Sequence, residues 1–151
     1  GMTARLDMAS PLRVSIVEDD DEIRAHLAHF ISRAEGFELV GQHASGEEAL
    51  EAIPKSAPSV VLMDIQLEGG ISGVAAAAAI RGHLDIPVVF LTAHASNETV
   101  SHAVESGAFG YLLKPYTVPE LKAAIEIALH KHTTETTMRN ALSSRMPLSA
   151  A

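Results

Sequence analysis

Apolar residues along this chain fall into short β-branched runs separated by longer stretches with helical spacing. Arg13–Asp20 (RVSIVEDD) is a run of the first kind that ends in acids, and it predicts a strand. Ile23, Leu27, Phe30, Ile31 and Ala34 then share one helical face, and Gly36 closes that helix. Phe37–Ala44 (FELVGQHA) predicts a second strand. Ser45, with Glu48 three positions on, is a capping box that opens a second helix. Pro54 and Pro58 bracket the loop before a third strand, Val60–Met63. The alanine-rich stretch Gly73–Arg81 predicts a third helix, its small residues suited to close packing on a sheet. Pro87 introduces a fourth strand in VVFLTA, Val88–Ala93. Ser96 can cap a helix over Asn97–Ser106, and Phe109–Leu113 (FGYLL) is a short fifth strand. A second capping box, Thr117 with Glu120, opens a fifth helix that runs to His132.

Five strands thus alternate with five helices. The third and fourth strands are apolar without alternation, as expected where helices cover both faces of a parallel sheet. Short connections imply right-handed crossovers. The expected fold is α/β: a five-stranded parallel sheet, doubly wound into three αβα layers, with the flavodoxin-like strand order 2-1-3-4-5. Residues 13–131 form this domain. Residues 1–12 are expected to be disordered or tag-derived, Gly1 before Met2 looking like a cloning scar. Residues 132–151 are polar and short of core formers, which predicts a helix extension and a frayed tail.

Composition narrows the chemistry. At 151 residues and 47% apolar the chain suits one domain with a real core. No apolar run approaches the ~18 residues of a membrane span, and Gly1–Ser10 lacks the apolar core of a signal peptide. The absence of cysteine excludes disulfides, thiolate nucleophiles and cysteine metal sites, and a cytoplasmic location is expected. A net charge of −8 with scattered Lys and Arg argues against direct nucleic-acid binding. It suits a cation site or a basic partner.

In an open parallel sheet, ligands bind beyond the carboxyl ends of the strands. Those ends carry Glu18, Asp19 and Asp20 on the first strand, Asp64 on the third, Thr92 on the fourth and Lys114 on the fifth. Crowded carboxylates repel unless a cation lies between them. Hard oxygen ligands favour magnesium, with manganese as a substitute, over zinc. A cation and the Lys114 ammonium together would neutralise a phosphoryl group arriving at Asp64, with Thr92 within reach of one of its oxygens. Asp64 would then be the nucleophile of an aspartyl phosphate. Asp20 reads as a helix cap.

The four stretches VSIVEDD, VVLMDIQL, VVFLTA and GYLLKP, in this order and at these strand ends, resemble the receiver domain of two-component response regulators across Arg13–Lys131. The resemblance implies a phosphoacceptor at Asp64, a metal site of Glu18, Asp19, Asp64 and the backbone carbonyl of Gln66, a switch hydroxyl at Thr92 and a phosphate-contacting Lys114. It also implies a cis Lys114–Pro115 peptide. Tyr111 matches the aromatic switch position, whose ring turns inward when Thr92 moves toward phosphate. Gln66 and His94 match variable positions that tune phosphate loss. The chain departs from the commonest pattern in its Glu-Asp pair and in its longer LEGGISG loop, which lacks the usual proline.

The implied function is a switch, not an enzyme with a separate substrate. A sensor histidine kinase or phosphotransfer protein phosphorylates Asp64, and a surface for a downstream protein changes. A homodimer through the fourth helix, fifth strand and fifth helix is compatible with this reading. Competing readings are a magnesium phosphatase of similar fold, a flavin carrier and an interaction domain that is never phosphorylated. The phosphatase wants a second acid close after the nucleophile, where Ile65 and Gln66 stand. The flavin carrier wants a phosphate cradle after the first strand, where EDDDE would repel phosphate. The paired histidines His26/His29 and His130/His132 show no third zinc ligand.

Overall fold

In this computed structural model, residues 10–93, 96, 98, 101, 107 and 109–150 are described, with side chains through 144. The elements are β1 (Leu12–Val17), α1 (Asp21–Arg33), β2 (Phe37–His43), α2 (Gly46–Ser56), β3 (Val60–Asp64), α3 (Gly73–Ala79), β4 (Val88–Thr92), β5 (Gly110–Leu113) and α4 (Val118–Ala150). The predicted helix over Asn97–Ser106 falls largely outside the described residues, so α4 corresponds to the fifth helix expected above. All strand pairs are parallel, in the order β2-β1-β3-β4-β5. The doubly wound α/β fold with flavodoxin-like order is therefore present.

Alternate residues of each central strand serve opposite layers. Leu62, Val89 and Leu91 face α1 and α4, where Leu27, Ile31, Leu121 and Ile125 meet them. Val61, Met63, Val88 and Phe90 face α2 and α3, against Ile53, Ala76, Ala77 and Ile80. Double coverage explains why β3 and β4 carry no polar residue before their last positions, Asp64 and Thr92. Each fully buried aliphatic side chain stabilises the fold by up to about 1.5–3 kcal/mol. Within the alanine run, Ala76 and Ala77 are fully buried. A small residue there lets the helix sit close to the sheet.

Both capping boxes form. The Glu48 amide donates to Ser45 Oγ at 3.2 Å, and Glu48 Oε2 accepts from the Ala44 amide at 3.2 Å. The Glu120 amide donates to Thr117 Oγ1 at 3.2 Å, and Glu120 Oε1 accepts from the Thr117 amide at 2.9 Å. Asp20 caps α1 by accepting from the Ile23 amide at 2.9 Å.

Some boundaries differ from the sequence reading. Pro54 lies inside α2 and not in the loop after it. Pro54 removes the bond its N–H would have made to the Leu50 carbonyl, and the helix ends two residues later, where Ala57 in the left-handed region (φ 46°) donates its amide to the Ile53 carbonyl at 2.8 Å. β1 ends at Val17, because Glu18–Asp20 already turn toward α1. Helix α3 passes into a π-helical turn over Ile80–Leu84, closed by Asp85 at φ 54°.

Helix α4 continues well past His132. Its extension is tied to the turn after α3 by ion pairs. Arg81 contacts Asp85 at 3.1 Å and Glu135 at 3.2 Å, and Arg139 contacts Glu135 at 2.7 Å and Asp85 at 3.5 Å. His132 Nε2 lies 3.3 Å from Asp85, and its ring meets Phe109 edge-on with centroids 5.6 Å apart. Burial alone would raise the Asp85 carboxyl, but the hydrogen bonds with His132 and Arg81 hold it below the usual range. Polar spacing hides this contact in sequence, since its partners lie 47 and 54 residues apart.

Candidate functional site

Strand register brings the expected residues together. Val17 pairs with Met63, so the next positions, Glu18 and Asp64, leave the sheet side by side. Asp64 pairs with Leu91, one before Thr92, and Thr92 pairs with Leu113, one before Lys114. Four segments thus end at one edge, at the crevice between β1 and β3 where the strand order reverses.

Carboxylate oxygens of Glu18, Asp19 and Asp64 lie within 4.8 Å of one another. Lys114 Nζ sits 3.3 Å from Glu18 Oε1 and 3.4 Å from Asp64 Oδ2. Backbone amides orient the other oxygens. The Gln66 amide donates to Asp64 Oδ1 at 2.8 Å, the Asp20 amide to Glu18 Oε2 at 3.1 Å, and the Glu68 amide to Asp19 Oδ2 at 2.9 Å. Thr92 is buried at the end of β4, and its carbonyl accepts from the Lys114 amide at 2.7 Å. The Lys114–Pro115 peptide is cis. Tyr111 lies on β5 with its side chain 44% exposed, an outward position. Gln66 is exposed beside Asp64, and His94 lies outside the described residues.

Electrostatics follow from this crowding. Burial pushes the Glu18 carboxyl up to about 7, aided by the neighbouring Asp64 and Asp19 and opposed by the Asp20 amide. Burial would raise Asp19 too, but hydrogen bonds from the Glu68 amide, the Glu18 side chain and the Asp19 and Asp20 amides together hold the carboxyl below its ordinary value. Burial would lower Lys114, yet the charges of Asp64 and Glu18 keep its ammonium above the usual lysine range. The cluster is short of positive charge: three acids face one ammonium. An all-oxygen donor set with that deficit fits a hard divalent cation such as magnesium.

Three contributors were not legible in the sequence reading. Arg24 reaches back from α1 to donate to the Glu18 carbonyl at 2.9 Å. Glu68 contributes through its amide, which side-chain patterns cannot reveal. Gly73 lets α3 approach the end of β3, since a Cβ there would meet the Asp64 carbonyl at 2.7 Å and the Ile65 carbonyl at 2.8 Å. The histidine pairs lie away from this site: His26 and His29 are exposed on α1, and His132 is held by Asp85.

Fold and site together define a doubly wound αβα domain with an acid pocket and a lysine at its switch point. The chain belongs to the response regulator receiver domain family, whose model matches residues 14–126. Among relatives, it is 38% identical over 131 residues to the transcriptional regulatory protein PdtaR of Mycobacterium tuberculosis, covering 87% of this chain and 63% of that protein. It is 34% identical over 117 residues to the response regulator GacA of Pseudomonas viridiflava, covering 77% of this chain and 54% of that one. The chain therefore spans just over half to under two thirds of these relatives. Among solved structures, the signal receiver domain of a modulated diguanylate cyclase from Desulfovibrio desulfuricans G20 superposes with a TM-score of 0.75 at 33% identity, covering 83% of this chain and 99% of that one. A LuxR-family two-component response regulator from Aurantimonas sp. SI85-9A1 gives 0.74 at 30% identity, covering 81% and 87%.

Proposed function

We infer that Asp64 accepts a phosphoryl group from a sensor histidine kinase or phosphotransfer protein in a magnesium-dependent reaction. The modification switches a protein-interaction surface. The observation that carries this reading is the placement of Lys114 Nζ between Glu18 and Asp64, at 3.3 and 3.4 Å, beside a third carboxylate. An Asp64 oxygen attacks phosphorus as the P–N bond of the donor phosphohistidine breaks, and the leaving imidazole nitrogen takes a proton from solvent. Lys114 neutralises equatorial phosphoryl oxygens, and the Thr92 hydroxyl donates to one of them. The Gln66 amide holds Asp64 in one rotamer for the attack. Glu18, Asp19, Asp64 and the Gln66 carbonyl would hold the magnesium, which when bound supplies the positive charge that the three acids lack.

Thr92 and the outward Tyr111 are the switch pair in this reading. A modification shifts a conformational equilibrium only by its differential contacts with two states, and here those contacts are from Thr92 and Lys114 to phosphate. The protein catalyses only its own phosphorylation and dephosphorylation. Residues 13–131 form the receiver unit and 132–151 an extension of it. The output is by protein contact, with a homodimer across β5, α4 and the preceding segment as one form. Relatives named as transcriptional or DNA-binding regulators exist, but this chain's 19 acids against 11 Lys and Arg do not favour nucleic-acid binding by the receiver itself. A cytoplasmic location goes with this reading. No described helix is long and apolar enough to cross a membrane.

Incubation with acetyl phosphate and magnesium is the test, read by intact mass. One phosphate is gained by the parent and none by Asp64→Asn. Equal labelling of that variant overturns the assignment.

A further inference from the structure

The loop over residues 65–72 has two faces. Toward the site, its Gln66 and Glu68 amides hold Asp64 and Asp19 at 2.8 and 2.9 Å. Away from the site, it is docked on the first turn of α2. There the Ile71 amide donates to Glu47 Oε2 at 2.8 Å. The Ile71 side chain sits directly over Gly46, where an added Cβ would meet Ile71 Cγ1 at 2.7 Å and Cδ1 at 3.0 Å. Between the two faces stand Gly69 and Gly70, at φ +70° and +55°. They bring no side chain to anchor the turn, so its position depends on what ties down its ends.

We propose that Glu47 is a positioning residue for the acid pocket, acting through the Ile71 amide to hold the 65–72 loop against Asp19 and Asp64. The proposal rests on the magnesium-dependent reading given above and deepens it. Glu47 is not one of the three clustered carboxylates, so it is not assigned as a ligand. Its neighbour Glu48 is engaged in the capping box, which leaves Glu47 to the loop. Only Gly69 and Gly70 separate Ile71 from Glu68. Release of Ile71 therefore frees the Glu68 amide, and with it the orientation of Asp19. Partners that orient metal ligands are worth a measurable share of metal affinity. A plain first-turn acid would act differently, favouring the α2 dipole without touching the pocket.

The experiment compares Glu47→Ala, Glu47→Gln and Glu51→Ala with the parent. Magnesium affinity is measured by calorimetry, amide exchange at Glu68 and Ile71 by NMR, and metal-free melting in parallel. Glu47→Ala should bind magnesium about fivefold more weakly, the size of one lost hydrogen bond, with faster exchange at both amides. Glu47→Gln keeps an acceptor oxygen but loses the charge, and should stay within about twofold of the parent. Glu51→Ala, which removes an exposed acid one turn further on, should behave as the parent. Parent-like affinity and exchange in Glu47→Ala overturn the proposal, as does equal weakening in Glu47→Gln. If the parent binds no magnesium, the metal reading fails by itself. Glu68 exchange then decides the loop contact alone, and unchanged exchange in Glu47→Ala overturns it.

Discussion

Replacing Glu18 by Gln should change how stability depends on pH in the metal-free protein. Glu18 is only 1% exposed, and its carboxyl is pushed up to about 7 from an ordinary 4.5. The folded protein therefore holds a proton that the unfolded chain releases. Stability from this group is fully present below the unfolded value and is lost as pH rises through the folded one. Each pH unit of displacement corresponds to about 1.4 kcal/mol, so the span amounts to about 3 kcal/mol, of which about 2–3 falls between about pH 5 and pH 8. Gln has no proton to lose. Its amide nitrogen cannot accept from the Asp20 amide, a penalty of about 1 kcal/mol that is the same at every pH and cancels in the comparison. Groups titrating equally in both proteins cancel as well. Urea unfolding in the presence of a chelator, at about pH 5 and about pH 8, reads the gap between parent and variant. The gap should move in favour of Gln by about 2–3 kcal/mol on going to the higher pH. Added magnesium at the higher pH should stabilise the parent more than the variant. A gap that is the same at both pH values, or that moves toward the parent, refutes the reasoning.

Gly73→Ala gains helix propensity of about 1 kcal/mol, yet its Cβ would strike the Asp64 and Ile65 carbonyls. A net loss of about 1–2 kcal/mol is expected from urea unfolding, together with slower phosphate uptake from acetyl phosphate; a net gain in stability would contradict the packing. Arg81→Ala removes contacts with Asp85, Glu135 and the Gly107 carbonyl, and a guanidinium 4.1 Å from the Phe109 ring centroid. It should cost about 1–2 kcal/mol and speed amide exchange over residues 132–140, while exchange in β1 and β3 stays slow. Uniform acceleration through the whole chain would show that the extension has no local anchor.

Features that depend on neighbours a few positions away could be read from residue spacing alone. A capping box needs only a hydroxyl and a carboxylate three residues apart, so Ser45/Glu48 and Thr117/Glu120 were legible before any fold was known. The unbroken apolar runs of β3 and β4 announced a doubly covered parallel sheet, and a parallel sheet with short crossovers collects Glu18, Asp64, Thr92 and Lys114 at one edge. Tertiary structure decided what distance along the chain hides. Pro54 reads as a breaker, but it lies inside α2, which runs two residues past it to Ser56. Lys114 reaches Glu18 across 96 residues, and the Glu68 amide reaches Asp19 across 49. Whether such groups meet depends on strand register and on how a glycine-rich loop is held, and a backbone amide leaves no mark in a side-chain pattern. Polar spacing predicts an extension of the last helix but not what it rests on, and Arg81 and Asp85 hold it through charge. Local hydrogen bonds are written in spacing, whereas contacts between distant segments exist only once packing has fixed where those segments lie.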